Sequence, residues 1–160
     1  GFDLSPEDNN FKSLQQRFIE LYQDNIDRET ALFEGMEEVI NKLDANNVSW
    51  GIITNKPAFL TDPLVEKLGL IERAACVVSG DTTAHSKPHP APMLHACNLI
   101  NHDPHDCLYI GDAKRDIEAG KNARMKTITA RWGYLSEHDK PENWQADAII
   151  DHPREILQWI

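Results

Sequence analysis

At 160 residues, with 41% hydrophobic and 26% charged side chains, the chain is long enough for one globular domain with a real core. A formal net charge of −10 argues against a nucleic-acid or membrane-surface partner, since both select a basic face. No apolar run reaches membrane-spanning length and no signal peptide is visible, so a cytoplasmic location is expected.

Ser5-Pro6-Glu7-Asp8 is a helix-start pattern, with Ser as cap, Pro at the first helical position and acids in the first turn. Phe11, Leu14, Phe18, Leu21 and Tyr22 recur at helical spacing and predict one amphipathic helix to about Asp24. Asn25–Leu32 is polar and reads as a connection. Gly35 precedes a second helix that carries Met36, Val39, Ile40 and Leu43 on one face.

From Val48 the pattern becomes strand–helix alternation. Val48–Ile53 predicts a strand ending in Thr54-Asn55-Lys56-Pro57, with Pro57 suited to a helix's first turn. Leu60, Leu64, Val65 and Leu68 form the inner stripe of that helix, and Gly69 ends it. Cys76–Ser79 predicts a second strand, followed by a loop over Gly80–Pro90. A helix over Ala91–Ile100 turns Leu94, Cys97 and Ile100 inward. Cys107–Ile110 reads as a third strand, followed by a helix through Ile117 and Ala123. Lys126–Ala130 and Ala148–Ile150 are short strands, and Pro153–Ile160 a closing helix. Such alternation implies an α/β fold with a doubly wound, mainly parallel, Rossmann-like sheet. The first helix stands outside it and belongs to an accessory subdomain. Three cysteines, Cys76, Cys97 and Cys107, have no metal-like spacing and read as structural thiols in a reducing compartment.

The polar residues at the strand ends are chemically suggestive. Thr54 and Asn55 come directly after the first strand, Lys87 lies in the loop after the second, and Asp112 comes after the third at Gly111. Asp116 falls one helical turn beyond Asp112, so both carboxylates can face one space. Parallel strands gather these ends in one crevice, where a hydroxyl, an amide, an ammonium and two acids suit a phosphoryl group beside Mg2+. Each residue has a plainer alternative: Thr54-Asn55 as a helix cap, Lys87 as a surface lysine, Asp112 as a turn residue, Asp116 as a first-turn acid. Their joint occurrence in this order is harder to explain that way. His85, His89, His95, His102 and His105 fit no metal-site spacing and read as surface or loop residues.

Ile52-Ile53-Thr54-Asn55-Lys56-Pro57, Ser86-Lys87-Pro88-His89-Pro90 and Ile110-Gly111-Asp112 through Asp116 resemble the second, third and fourth motifs of the haloacid-dehalogenase-like phosphohydrolase superfamily. Gly80-Asp81-Thr82 and Trp132-Gly133-Tyr134 are similar to its phosphoglycolate-phosphatase branch. The resemblance implies an α/β core over residues 32–160, with residues 1–31 a remnant of the family's helical cap. It implies a Mg2+-dependent phosphatase of a small phosphorylated metabolite, acting through an aspartyl-phosphate, with 2-phosphoglycolate as the first candidate. A sugar phosphate such as N-acetylmuramic acid 6-phosphate, or phosphomutase chemistry, is the alternative. By the same resemblance Thr54 and Lys87 are catalytic, and Thr54, Asn55 and Lys87 bind phosphate. Asp112 binds Mg2+, and Asp116 supports the metal shell or orients Lys87. Trp132 and Tyr134 pack near the rim.

The family's first motif, a strand followed by Asp-x-Asp-Gly-Thr, has no clear counterpart. The nearest stretch is Phe2-Asp3-Leu4-Ser5, which no strand can precede here and which Ser5-Pro6 explains better as a helix start. On this reading the chain begins inside the cap, and Gly1 in place of Met fits a processed or clipped product. The central nucleophile strand, between those ending in Thr54 and Asp112, is then expected to come from an N-terminal segment or a second chain. The chain by itself is expected to be inactive. Among rivals, a dehalogenase needs no metal and does not explain Asp112 with Asp116. A receiver domain has its acids before its Thr and Lys, the reverse of the order here. A non-catalytic phosphate-binding relative remains as the reading of another class.

Overall fold

The structure, a computed structural model, describes residues 13, 14, 16–18, 20, 21 and 30–160. Of the first predicted helix, Ser13, Leu14, Gln16, Arg17, Phe18, Glu20 and Leu21 are helical. The Ser5 start, Asp3 and the first part of the Asn25–Leu32 connection lie outside the described residues.

Helix α1, Met36–Ala45, begins after Gly35, whose φ of 86° is left-handed. A Cβ at Gly35 would also press on the His152 ring, 2.8 Å away. Glu37 and Glu38 in its first turn and Lys42 in its last suit the helix dipole. The alternation then runs β1 Gly51–Ile53, α2 Ala58–Lys67, β2 Cys76–Val78, α3 Ala91–Ile100 and β3 Leu108–Gly111. It continues with α4 Lys114–Asn122, β4 Lys126–Ala130 and β5 Ala148–Ile150. Every strand pair is parallel, as the alternation predicts.

Local hydrogen bonding moves several predicted boundaries. The first strand starts at Gly51 rather than Val48, because the Val48 N–H closes the end of α1 on the Leu43 carbonyl at 2.9 Å. The third begins at Leu108, because the Cys107 N–H turns back to the Pro104 carbonyl of a 3-10 turn. The closing helix is a 3-10 helix over Pro153–Gln158. Leu94 is 41% exposed rather than inward, since α3 buries the neighbouring stripe of Met93, Ala96 and Cys97.

The strands form two sheets, β1-β2 and β3-β4-β5, joined through helices rather than through a ladder. Val39 and Leu43 of α1 pack on Ile128, Ile150 and Ile156 beside the larger sheet. Ile40 of the same helix packs on Val65 and Leu70 beside the smaller one. On the other face, Met93 of α3 meets Ala119 and Ala123, with Ile53 of β1 and Tyr109 of β3 against them. Helices therefore bracket both sides of a groove between β1 and β3. It holds about 680 Å³ and is lined by Trp50, Ile52, Ile110 and Trp132.

The larger sheet is pinned where β4 begins. Thr127, wholly buried, donates its N–H and its hydroxyl to Asp147 Oδ2 at 2.7 and 3.0 Å. Those bonds, the backbone one first, hold the Asp147 carboxyl below its ordinary value. A carboxylate depressed on folding stabilises the fold above its unfolded pKa and loses that contribution as pH falls through the folded value. Replacing Asp147 by Ala strands two buried donors and is expected to cost about 1 to 2 kcal/mol at neutral pH, with the difference from wild type shrinking in acid as the wild-type carboxylate is protonated. Urea denaturation of both proteins at neutral and acidic pH checks this. Among the described residues no helix is long and apolar enough to cross a membrane.

Candidate active site

The carboxyl ends of β1 and β3 open onto the same groove. Thr54 extends the β1 ladder by one bond, its N–H donating to the Val78 carbonyl at 2.9 Å. Its Oγ1 accepts from the Lys56 N–H at 3.1 Å, which leaves the hydroxyl proton for another acceptor. Asn55 has its side chain engaged within the protein. Its side-chain amide donates to the Lys87 carbonyl and accepts from the Lys87 N–H, both at 3.0 Å. It is a clamp on the Lys87 backbone, with its main-chain N–H still able to meet a ligand. Gly80 lies against this turn so closely that any Cβ would collide with the Asn55 carbonyl.

That clamp brings Lys87 inward, where it is 8% exposed. Its ammonium forms an ion pair with Asp116 Oδ1 at 2.8 Å and donates to the Ile53 carbonyl at 2.8 Å and to Tyr109 Oη at 2.9 Å. A buried ammonium with three acceptors is fixed in position as well as charge-balanced. Asp116 sits in the first turn of α4, and its Oδ2 accepts from the Ala113 N–H at 3.1 Å. Both of its oxygens are therefore engaged, one by a cation and one by the helix start. Burial pushes the Tyr109 hydroxyl well above its usual pKa, and the charges of Asp116 and Asp112 push it further. Tyr109 stays protonated and hands its own hydrogen towards the Ile53 carbonyl, 3.4 Å away.

Asp112 is held from the opposite wall. Its Oδ2 accepts from the Tyr134 N–H at 2.8 Å, while Oδ1 meets no donor among the described residues. Gly133 touches the Asp112 side chain so closely that a Cβ would displace it. Gly133→Ala is therefore expected to displace the Asp112 carboxylate with little loss of stability, because the clash falls on one partly exposed side chain, and a cation held by Asp112 would bind at least about tenfold more weakly. Isothermal titration with Mg2+ beside a thermal melt separates the two effects. Trp132 and Tyr134 both line the groove, as the resemblance implied for the rim. Tyr134 is 89% exposed, with its ring centroid 5.8 Å from that of Phe33.

Thr54, Asn55, Lys87, Asp112 and Asp116 thus all line one groove. The histidines stay outside it: His85 and His89 are exposed, with ring centroids 4.4 Å apart, and His95 is half-buried on α3. Among the described residues no three His, Cys, Asp or Glu side chains converge as a ready-made metal cage. Mg2+ does not need one, because it keeps several waters and takes one or two carboxylates with substrate phosphate oxygens. Asp112, with one free oxygen at a strand end, fits that demand. Tyr109, the Tyr134 N–H and the Ile53 carbonyl were not legible as site groups, since each enters through contacts distant in sequence.

Residues 3–130 match the haloacid dehalogenase-like hydrolase family. The chain belongs to that family. It is 41% identical over 160 residues to the N-acetylmuramic acid 6-phosphate phosphatase of Pseudomonas putida, covering all of this chain and 72% of that protein. It is 40% identical over 142 residues to the phosphoglycolate phosphatase of Xylella fastidiosa, covering 89% of this chain and 62% of that one. Among solved structures, a predicted phosphoglycolate phosphatase from Haemophilus somnus superposes with a TM-score of 0.88 at 25% identity, over 98% of this chain and 68% of the other. As a family member the chain has the expected doubly wound α/β core, and these relatives are phosphatases of small phosphorylated metabolites.

Proposed function

We propose that this chain carries the phosphate- and metal-binding side of a Mg2+-dependent phosphatase acting on a small phosphorylated metabolite. The observation that carries the proposal is the convergence of Thr54, Lys87 and Asp112 on one groove at the strand ends. The Thr54 hydroxyl and the Asn55 N–H donate to phosphate oxygens, and the buried Lys87 charge offsets the phosphate's own. Asp112 would hold the Mg2+, and Asp116 fixes Lys87 through their ion pair. When bound, the metal neutralises charge on the transferring phosphoryl group.

The attacking carboxylate comes, in this proposal, from an extended segment lying in the groove between β1 and β3. That segment is an N-terminal stretch of the protein or part of a second chain. An unpaired strand edge is a template for such pairing. Ile53 is the residue to watch, because its carbonyl accepts from Lys87 and Tyr109 side chains rather than from a strand. A backbone N–H arriving there frees one Lys87 N–H for the phosphate. The transfer then runs in two steps. The aspartate oxygen bonds to phosphorus as the P–O bond to the alcohol breaks, and a second acid on the same segment gives the alcohol its proton. That carboxylate then takes a proton from the water that cleaves the aspartyl-phosphate to orthophosphate and free aspartate.

2-Phosphoglycolate is the substrate we favour. N-acetylmuramic acid 6-phosphate is the second reading, favoured by the 41% identity to a phosphatase of that name across the whole chain. Hydrolysis of p-nitrophenyl phosphate with Mg2+ tests the proposal. The chain alone should show no turnover, and an aspartate-bearing extended segment, fused ahead of Gly1 or added in trans, should produce it. Turnover by the chain alone would refute the supplied nucleophile. Absence of turnover in every form would refute the phosphatase. The ratio of kcat/KM for the two metabolites then decides between them.

A further inference from the structure

We propose that Cys97 and Cys107 are an oxidation site, at which a hydroperoxide closes an intramolecular disulfide between the last turns of α3 and the entry to β3. The three cysteines come from three elements: Cys76 opens β2, Cys97 lies on α3 and Cys107 immediately precedes β3. They nevertheless gather at the strand ends opposite the phosphate groove. The Cys97 and Cys107 sulfurs are 3.8 Å apart, and Cys76 is close enough for the charge of Cys107 to oppose its ionisation. All three are free thiols.

Their exposures assign different roles. Cys97 is 2% exposed and Cys76 9%, whereas Cys107 is half-buried and is the thiol an oxidant can reach. Burial pushes the Cys97 thiol up to about 12, so it does not make the first attack. Cys107 sulfur attacks the outer oxygen of the hydroperoxide, the O–O bond breaks, and the alcohol (water, for hydrogen peroxide) leaves with the thiol proton. The product is a Cys107 sulfenic acid. Cys97 sulfur, already against it, displaces the hydroxyl, which departs as water with the Cys97 proton. Two thiols and one hydroperoxide thus give one disulfide, one alcohol and one water. Closing the sulfurs from 3.8 Å to a disulfide length of about 2.05 Å draws Cys107, at the junction of the Pro104–Asp106 turn and β3, towards Cys97.

The site lies apart from the phosphate groove, so its test is independent of the proposed activity. The full chain is treated with hydrogen peroxide, remaining thiols are alkylated, and intact mass and proteolytic peptides are measured without reductant. The expected product is monomeric, about 2 Da lighter, linked Cys97 to Cys107, with only Cys76 alkylated, and it reverts with dithiothreitol. Cys97→Ser should instead leave a sulfenic acid on Cys107 that dimedone traps, while Cys76→Ser should keep the link. Linkage through Cys76, disulfides only between chains, stepwise over-oxidation of Cys107 without linkage, or no reaction would each overturn the proposal.

Discussion

Asp116→Ala is expected to destabilise the fold by about 3 to 5 kcal/mol, the usual consequence of leaving one member of a buried ion pair uncompensated. The pair is Lys87 Nζ to Asp116 Oδ1 at 2.8 Å, with side chains 7% and 6% exposed, so little solvent is available to take over the charge. The Ile53 carbonyl and Tyr109 hydroxyl accept from Lys87 but carry no charge to balance it. Removing both charges together has a different outcome. The double variant Lys87→Met with Asp116→Leu should recover most of the wild-type stability, since an apolar pair of similar volume often replaces a buried ion pair at little cost. It should no longer bind inorganic phosphate. Urea denaturation with an unchanged m-value, alongside phosphate titration, separates stability from binding. A loss below about 1 kcal/mol in the single variant would mean that the ammonium finds water once Asp116 is gone.

In the strand-completed form proposed above, Asp112→Asn is expected to lower Mg2+-dependent hydrolysis of p-nitrophenyl phosphate by at least about a hundredfold, with the fold unchanged. Asn keeps the Oδ2-side acceptor for the Tyr134 N–H, so the turn survives, but it removes the negative charge that a hard cation requires. The corresponding Thr54→Val change removes the hydroxyl that donates to phosphate and accepts from the Lys56 N–H but keeps the charges, and should be the milder of the two. Steady-state rates across a Mg2+ titration check the difference. An Asp112→Asn enzyme with wild-type rate at saturating Mg2+ would remove Asp112 from the metal site.

Much of this site was legible because its parts are local. Thr54, Lys87 and Asp112 each come after an apolar strand, and the parallel topology that carries them to one edge follows from strand–helix alternation alone. β4, β5 and α3 have the ranges their patterns predict, because their apolar runs are bounded by clear turn residues. The parts that were not legible depend on contacts far apart in the chain. Asn55 looks like a ligand in sequence, yet its amide is taken by a backbone 32 residues away. Tyr109 looks like one more strand residue until its hydroxyl is seen to reach the Lys87 ammonium across the groove. Leu94 fits a helical stripe as well as Met93 does, and only the packing of α3 on its neighbours decides between them. Asp116 could be read as a metal ligand from its spacing; its engagement by Lys87 and the Ala113 N–H supports the role of holding the lysine.

The most direct measurement is a crystal structure of the protein with inorganic phosphate and Mg2+. One phosphate is expected in the groove, within hydrogen-bond distance of the Thr54 hydroxyl and the Asn55 N–H, facing Lys87, with the cation on Asp112 Oδ1. Phosphate bound away from Thr54, or a cation held without Asp112, would contradict this arrangement.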